Sequence, residues 1–70
     1  MELQEKLEKV AELLDQDLTS VRPDVDLDTI GWDSMGMLGA IALAKTNGKT
    51  ITGAQIREFK TVQDILDAAF

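Results

Sequence analysis

Cysteine, histidine and tyrosine are all missing from this 70-residue chain. Without cysteine, no disulfide and no thiolate zinc site can hold the fold together. Without histidine, the commonest general base near neutral pH is gone. No other residues form an obvious nucleophile–base pair in sequence, so the chain does not read as an enzyme. Aromatic residues are few: Trp32, Phe59 and Phe70. No apolar run is long enough to span a bilayer. The first residues, Met1-Glu-Leu-Gln-Glu-Lys, lack the basic-then-apolar pattern of a secretory leader, which makes the cytoplasm the default expectation. The length accommodates one domain, residues 1–70. A domain this small buries only about 60% of the surface its unfolded chain exposes, so a few regular elements around a thin core are expected.

What is present is mostly acid, unevenly spread. Thirteen Asp and Glu stand against seven Lys and Arg. Residues 1–34 hold ten of the acids and three of the bases, while residues 35–70 hold three acids and four bases. Nucleic acid and anionic membranes repel such a chain. A basic partner surface would be steered to the acidic half, although the same charge also serves plain solubility.

The apolar spacing predicts a helix over 2–18, with Leu3, Leu7, Val10, Leu14 and Leu18 on a core stripe and Ala11 beside it. Glu2 with Lys6 and Glu5 with Lys9 form acid-first pairs on the polar face. Thr19-Ser20 and Pro23 end the helix. A long connection follows over 19–33, which Leu27 and Ile30 are expected to pin. Its D-V-D-L-D run lacks the glycine and terminal glutamate of a calcium-binding EF-hand loop, so no metal site is expected. A second helix spans 34–46, stopped by Asn47-Gly48, with Met35, Leu38, Ile41, Ala42 and Lys45 on one face. Leu38 is expected to pack inside. Thr52-Gly-Ala-Gln55 has the form of a capping box, and Thr61-Val-Gln-Asp64 is a looser version. These open a short third helix and a fourth, whose Val62, Ile65, Leu66 and Ala69 share a face. The fold class is therefore all-α: a four-helix bundle, three longer helices plus one short, with a long loop between helices one and two.

The segment that carries chemistry is Gly31-Trp32-Asp33-Ser34-Met35-Gly36. A serine stands where an acidic loop becomes an apolar helix. Ser and Asp are favoured N-cap residues, so a plain cap is one reading, and the chain would then be a helical protein-docking module. A nucleophilic serine is disfavoured, since there is no histidine and no G-x-S-x-G turn. A third reading is an acceptor for a phosphate-linked group, because a helix N-terminus offers unpaired N–H groups and partial positive charge.

On these residues the chain resembles the acyl carrier proteins, a family that also includes peptidyl and aryl carriers. Asp33-Ser34-Met35 matches the family's Asp-Ser-Leu or Asp-Ser-Met tripeptide at the start of helix two. Lys60-Thr-Val-Gln-Asp-Ile-Leu-Asp looks like its closing helix. The resemblance implies that Ser34 carries 4′-phosphopantetheine delivered from coenzyme A, that Asp33 helps a phosphopantetheinyl transferase recognise the site, and that Met35 touches partner enzymes. Those partners would be acyl-loading, ketosynthase or adenylating enzymes, with the carrier a monomer that shuttles thioester-bound acyl intermediates in fatty acid, polyketide or related synthesis. A peptidyl or aminoacyl carrier is the alternative within the family. The stretch from Gly36 to Ala44 has no charge, unlike helix two of fatty-acid-synthesis carriers, and Lys45 and Lys49 follow it. This points to a discrete carrier of a specialised pathway, recognised mainly through the apolar Trp32, Met35, Met37 and Leu38.

Overall fold

The computed structural model describes residues 2–70 as four α-helices: α1 Leu3–Leu14, α2 Ser34–Thr46, α3 Gly53–Arg57 and α4 Val62–Ala69. This is the all-α arrangement expected, with one long connection after the first helix. Short 3₁₀ turns at Leu18–Ser20 and Leu27–Ile30 punctuate that connection. Among the described residues no helix is long and apolar enough to cross a membrane.

Helix α1 stops at Leu14, four residues before the apolar stripe runs out. Asp15 takes the left-handed conformation, φ 55°, which short polar side chains tolerate better than most. Its N–H donates to Glu12 O at 3.2 Å, and the Gln16 N–H donates to Ala11 O at 3.0 Å. Those two bonds are a Schellman close. The stripe is correspondingly shorter than its spacing suggests. Val10, Ala11 and Leu14 are buried, Leu18 belongs to a 3₁₀ turn, and Leu3 is 54% exposed. Lys6, which sequence spacing pairs with Glu2, instead lies over the Phe70 ring with its Nζ 5.7 Å from the centroid.

The connection is held as expected by Leu27 and Ile30, and also by Val21, all three buried. Backbone bonds fasten it to the start of α4. The first N–H groups of any helix lack intrahelical acceptors. Here Val62 N–H donates to Val25 O at 3.0 Å and Gln63 N–H to Pro23 O at 2.9 Å. In return Leu27 N–H donates to Lys60 O at 2.8 Å, and Asp26 bridges Thr61 in an antiparallel step. The Gln16 side chain adds a bond from Nε2 to Ile30 O at 3.2 Å. The loop thus caps one helix with its carbonyls while covering the core with its apolar side chains.

Asp64 completes the junction by accepting from the N–H groups of Lys60 at 2.8 Å and Thr61 at 3.1 Å. The bond from Lys60, then that from Thr61, holds its carboxyl below the ordinary value of 3.8, against a smaller opposing effect of burial. A depressed pKa in the folded state contributes stability that is full above the unfolded value and vanishes as pH falls through the folded one. The difference in unfolding free energy between wild type and Asp64→Asn should be constant above about pH 5. It should shrink as acid protonates the wild-type carboxylate below 3.8. A gap that widens on acidification would contradict this assignment.

Helix α2 turns a different face inward from the one its spacing suggests. Gly36, Ala40 and Ala44 are buried, with Met37, Ile41 and Leu43 partly buried beside them. Met35 is 75% exposed and Leu38 63% exposed, and Ala42 and Lys45 face water with them. Leu38 therefore does not pack inside. The helix is apolar nearly all round, so periodicity alone could not choose a side. Small residues choose it, because they let the backbone of α2 come close to its neighbours. Position 39 shows this: a Cβ there would stand 3.3 Å from Leu13 Cβ. The core lies between α1, α2 and α4, closed by the loop and by Ile51 and Ile56, and among the described residues no polar side chain is buried in it.

Candidate functional site

Asp33 is the N-cap of α2. It is extended, with φ −140° and ψ −171°, and its Oδ1 accepts the Gly36 N–H at 3.0 Å. Asp33 O accepts the Met37 N–H at 3.0 Å. The cap therefore belongs to Asp33, and Ser34 is the first helical residue. Ser34 is exposed, and among the described residues no side-chain hydrogen bond engages its hydroxyl. This removes the reading in which Ser34 is only a helix cap.

Of the four N–H groups that open α2, those of Gly36 and Met37 are taken by Asp33. Those of Ser34 and Met35 have no protein acceptor among the described residues. A phosphodiester on Ser34 Oγ would sit beside two free donors at the positive end of the helix dipole. The neighbouring Asp33 carboxylate offsets part of that field. Among the described residues no cationic side chain lines the hollow beside this helix start.

Beside Ser34 lies an open hollow of about 350 Å³, lined by Leu13, Leu14, Asp15, Gln16, Asp33 and Met35 among others. A second shallow hollow of about 320 Å³ runs between α1 and α2 past Leu13, Gly39, Ala42 and Leu43. Asp15, Asp17, Asp24, Asp26, Asp28 and Asp33 are all exposed, and no three carboxylates gather as a metal site among the described residues.

The four residues singled out for partner contact do not form one surface. Met35 and Leu38 project from α2 into water. Met37 is half-buried and packs on the core, and Trp32 is half-buried with its ring against Gly36. Gly36 is a point of close approach within the fold. It receives this chain's own Trp32 and Leu14.

The family model described as the phosphopantetheine attachment site matches residues 7–69. No curated protein and no solved structure gives a significant match to the chain.

Proposed function

Because the chain belongs to the phosphopantetheine-attachment family of carrier proteins, we propose that it carries acyl intermediates as thioesters on a 4′-phosphopantetheine arm joined to Ser34. Members of this family bear the arm covalently and meet a phosphopantetheinyl transferase and biosynthetic enzymes. The observation that supports Ser34 is its position as an exposed first helical residue whose capping role is filled by its neighbour.

The chain's own residues do little chemistry, and little is needed. Ser34 Oγ attacks the phosphorus on the pantetheine side of coenzyme A's pyrophosphate. The P–O bond to the adenosine bisphosphate breaks, a phosphodiester forms on Ser34, and the hydroxyl proton goes to a base of the transferase. Asp33 holds the helix start by its bond to Gly36 and presents a carboxylate one residue from the hydroxyl, where the transferase can read it. The arm brings the thiol that the chain lacks. The protein is then a tethered substrate for its partners, and tethering raises the effective concentration of the cargo at each active site.

Met35 and Leu38, the two large apolar side chains that α2 exposes, form the contact surface for those partners. What supports this is the absence of charge from Gly36 to Ala44 together with the exposure of the two large side chains. The same pattern supports a specialised pathway over general fatty-acid synthesis. Recognition through such a surface should depend weakly on salt. Raising ionic strength from about 0.1 M to about 1 M shortens the screening length from about 10 Å to about 3 Å. Affinity for the enzyme that loads the acyl group should change by less than about threefold over that range, and Leu38→Ala should weaken it more than the salt does. A collapse of binding on adding salt would mean that the acidic half carries recognition instead.

The direct test of the carrier reading is the intact mass after incubation with coenzyme A and a broad-specificity phosphopantetheinyl transferase. One added phosphopantetheine supports it, and no gain with several transferases overturns it.

A further inference from the structure

Three side chains meet at Gly36. The Asp33 carboxylate accepts its N–H at 3.0 Å. A Cβ placed on it would stand 3.1 Å from Trp32 Cε3, 3.3 Å from Trp32 Cζ3 and 3.2 Å from Leu14 Cδ2. The ring of Trp32 and the tip of Leu14 thus lie close against the bare backbone, and a side chain at position 36 would require one or both to give by a few tenths of an ångström.

Gly36 is the third helical residue, the place where a capping box puts a Glu or Gln that reaches back to the N-cap N–H. α3 has such a residue in Gln55, whose Oε1 accepts the Thr52 N–H at 2.9 Å, and α4 has Asp64. Glycine cannot reach back. At α2 the reach is reversed: Trp32, the residue before the cap, folds forward onto the third helical residue. The hydrophobic staple of other helices works similarly, but against the fourth position. Here a bare backbone at the third lets the ring settle one residue earlier.

Both residues that precede Ser34 are thus fastened to the same point, Asp33 by a hydrogen bond and Trp32 by its ring. Behind them, Trp32 N–H donates to Leu27 O at 3.2 Å and Gly31 turns the chain at φ 77°. Leu14 is the last residue of α1. The end of α1, the long loop and the first turn of α2 are locked together two residues from the serine. We infer that Trp32 is a positioning residue for arm transfer: its ring, seated on Gly36, fixes the direction in which the Ser34 hydroxyl leaves the helix start. The inference rests on Ser34 as the attachment point and adds to it. Trp32 acts through the backbone of Asp33 and Ser34.

The test compares arm transfer from coenzyme A, by one broad-specificity transferase, for wild type, Trp32→Phe, Trp32→Ala, Gly36→Ala and the Trp32→Ala/Gly36→Ala pair. kcat and KM are measured beside urea unfolding of each. Trp32→Ala and Gly36→Ala should lower kcat/KM on the order of tenfold to a hundredfold, as misplaced reacting groups do. Trp32→Phe keeps a ring on the seat and should stay within about threefold of wild type. In the double variant the added methyl fills space the ring has left, so stability returns toward wild type while the transfer rate stays low. A rate that recovers together with stability makes the ring a structural filler and overturns the inference. Equal rates for all variants overturn it too, and leave the attachment at Ser34 standing. A wild-type protein that takes no arm overturns both.

Discussion

The Ser34→Ala protein should take up no phosphopantetheine and yet unfold within about 0.5 kcal/mol of wild type, as exposed surface substitutions do. Two facts set this expectation. Ser34 is exposed at the first helical position, and the helix is capped by Asp33 Oδ1 on the Gly36 N–H. Alanine is the best helix former, so the replacement carries no propensity cost. Asp33→Ala should show the reverse balance. It loses the cap, worth about 1 kcal/mol, while the acceptor hydroxyl remains and any slowing of transfer comes from poorer recognition. Chemical unfolding and intact mass on the two variants separate the roles. If Ser34→Ala lost about 1 kcal/mol and Asp33→Ala did not, the cap would belong to serine.

The largest loss of stability is expected from Leu27→Ala. Leu27 is 1% exposed and among the largest fully buried side chains. Its N–H is tied to Lys60 O at 2.8 Å, so the side chain and backbone of one residue both hold the loop against α4. Truncating a buried leucine costs about 2–5 kcal/mol. A domain of this length has a total stability on the order of 4–10 kcal/mol at the usual 0.05–0.15 kcal/mol per residue. The variant should lose a large share of that stability and show a sharply lower denaturant midpoint. Leu38→Ala, a deletion of the same size on the exposed face of α2, should move that midpoint hardly at all. Equal losses at the two positions would mean that α2 packs by the face its spacing first suggested. Loss of the loop anchor should also slow arm transfer, because the loop delivers Trp32 and Asp33 to the start of α2.

Much of this was legible in the residues. The four helices, the long connection, its anchors Leu27 and Ile30, and the Gln55 capping box were all readable from spacing and turn chemistry. So was the placing of Asp33 and Ser34 at a helix start. What could not be read follows from tertiary choices. α1 ends at Asp15 because a left-handed residue and two backbone bonds close it, and the apolar pattern continues past that point through Leu18. The inward face of α2 is set by Gly36, Ala40 and Ala44, whose value is closeness of approach, a quantity that hydrophobic spacing does not weigh. The bonds from Val62 and Gln63 to loop carbonyls leave no trace in side-chain pattern at all. Asp33 and Ser34 were both reasonable caps by type. Only geometry could assign the bond to one, and it belongs to Asp33.

The most direct measurement is to locate the added mass. The chain has two serines, Ser34 and the exposed Ser20 in the 3₁₀ turn after α1. After transfer from coenzyme A, fragmentation of the loaded protein should place a single phosphopantetheine between Asp33 and Met35, on Ser34. A loaded Ser20, or mass distributed over both serines, would contradict the account.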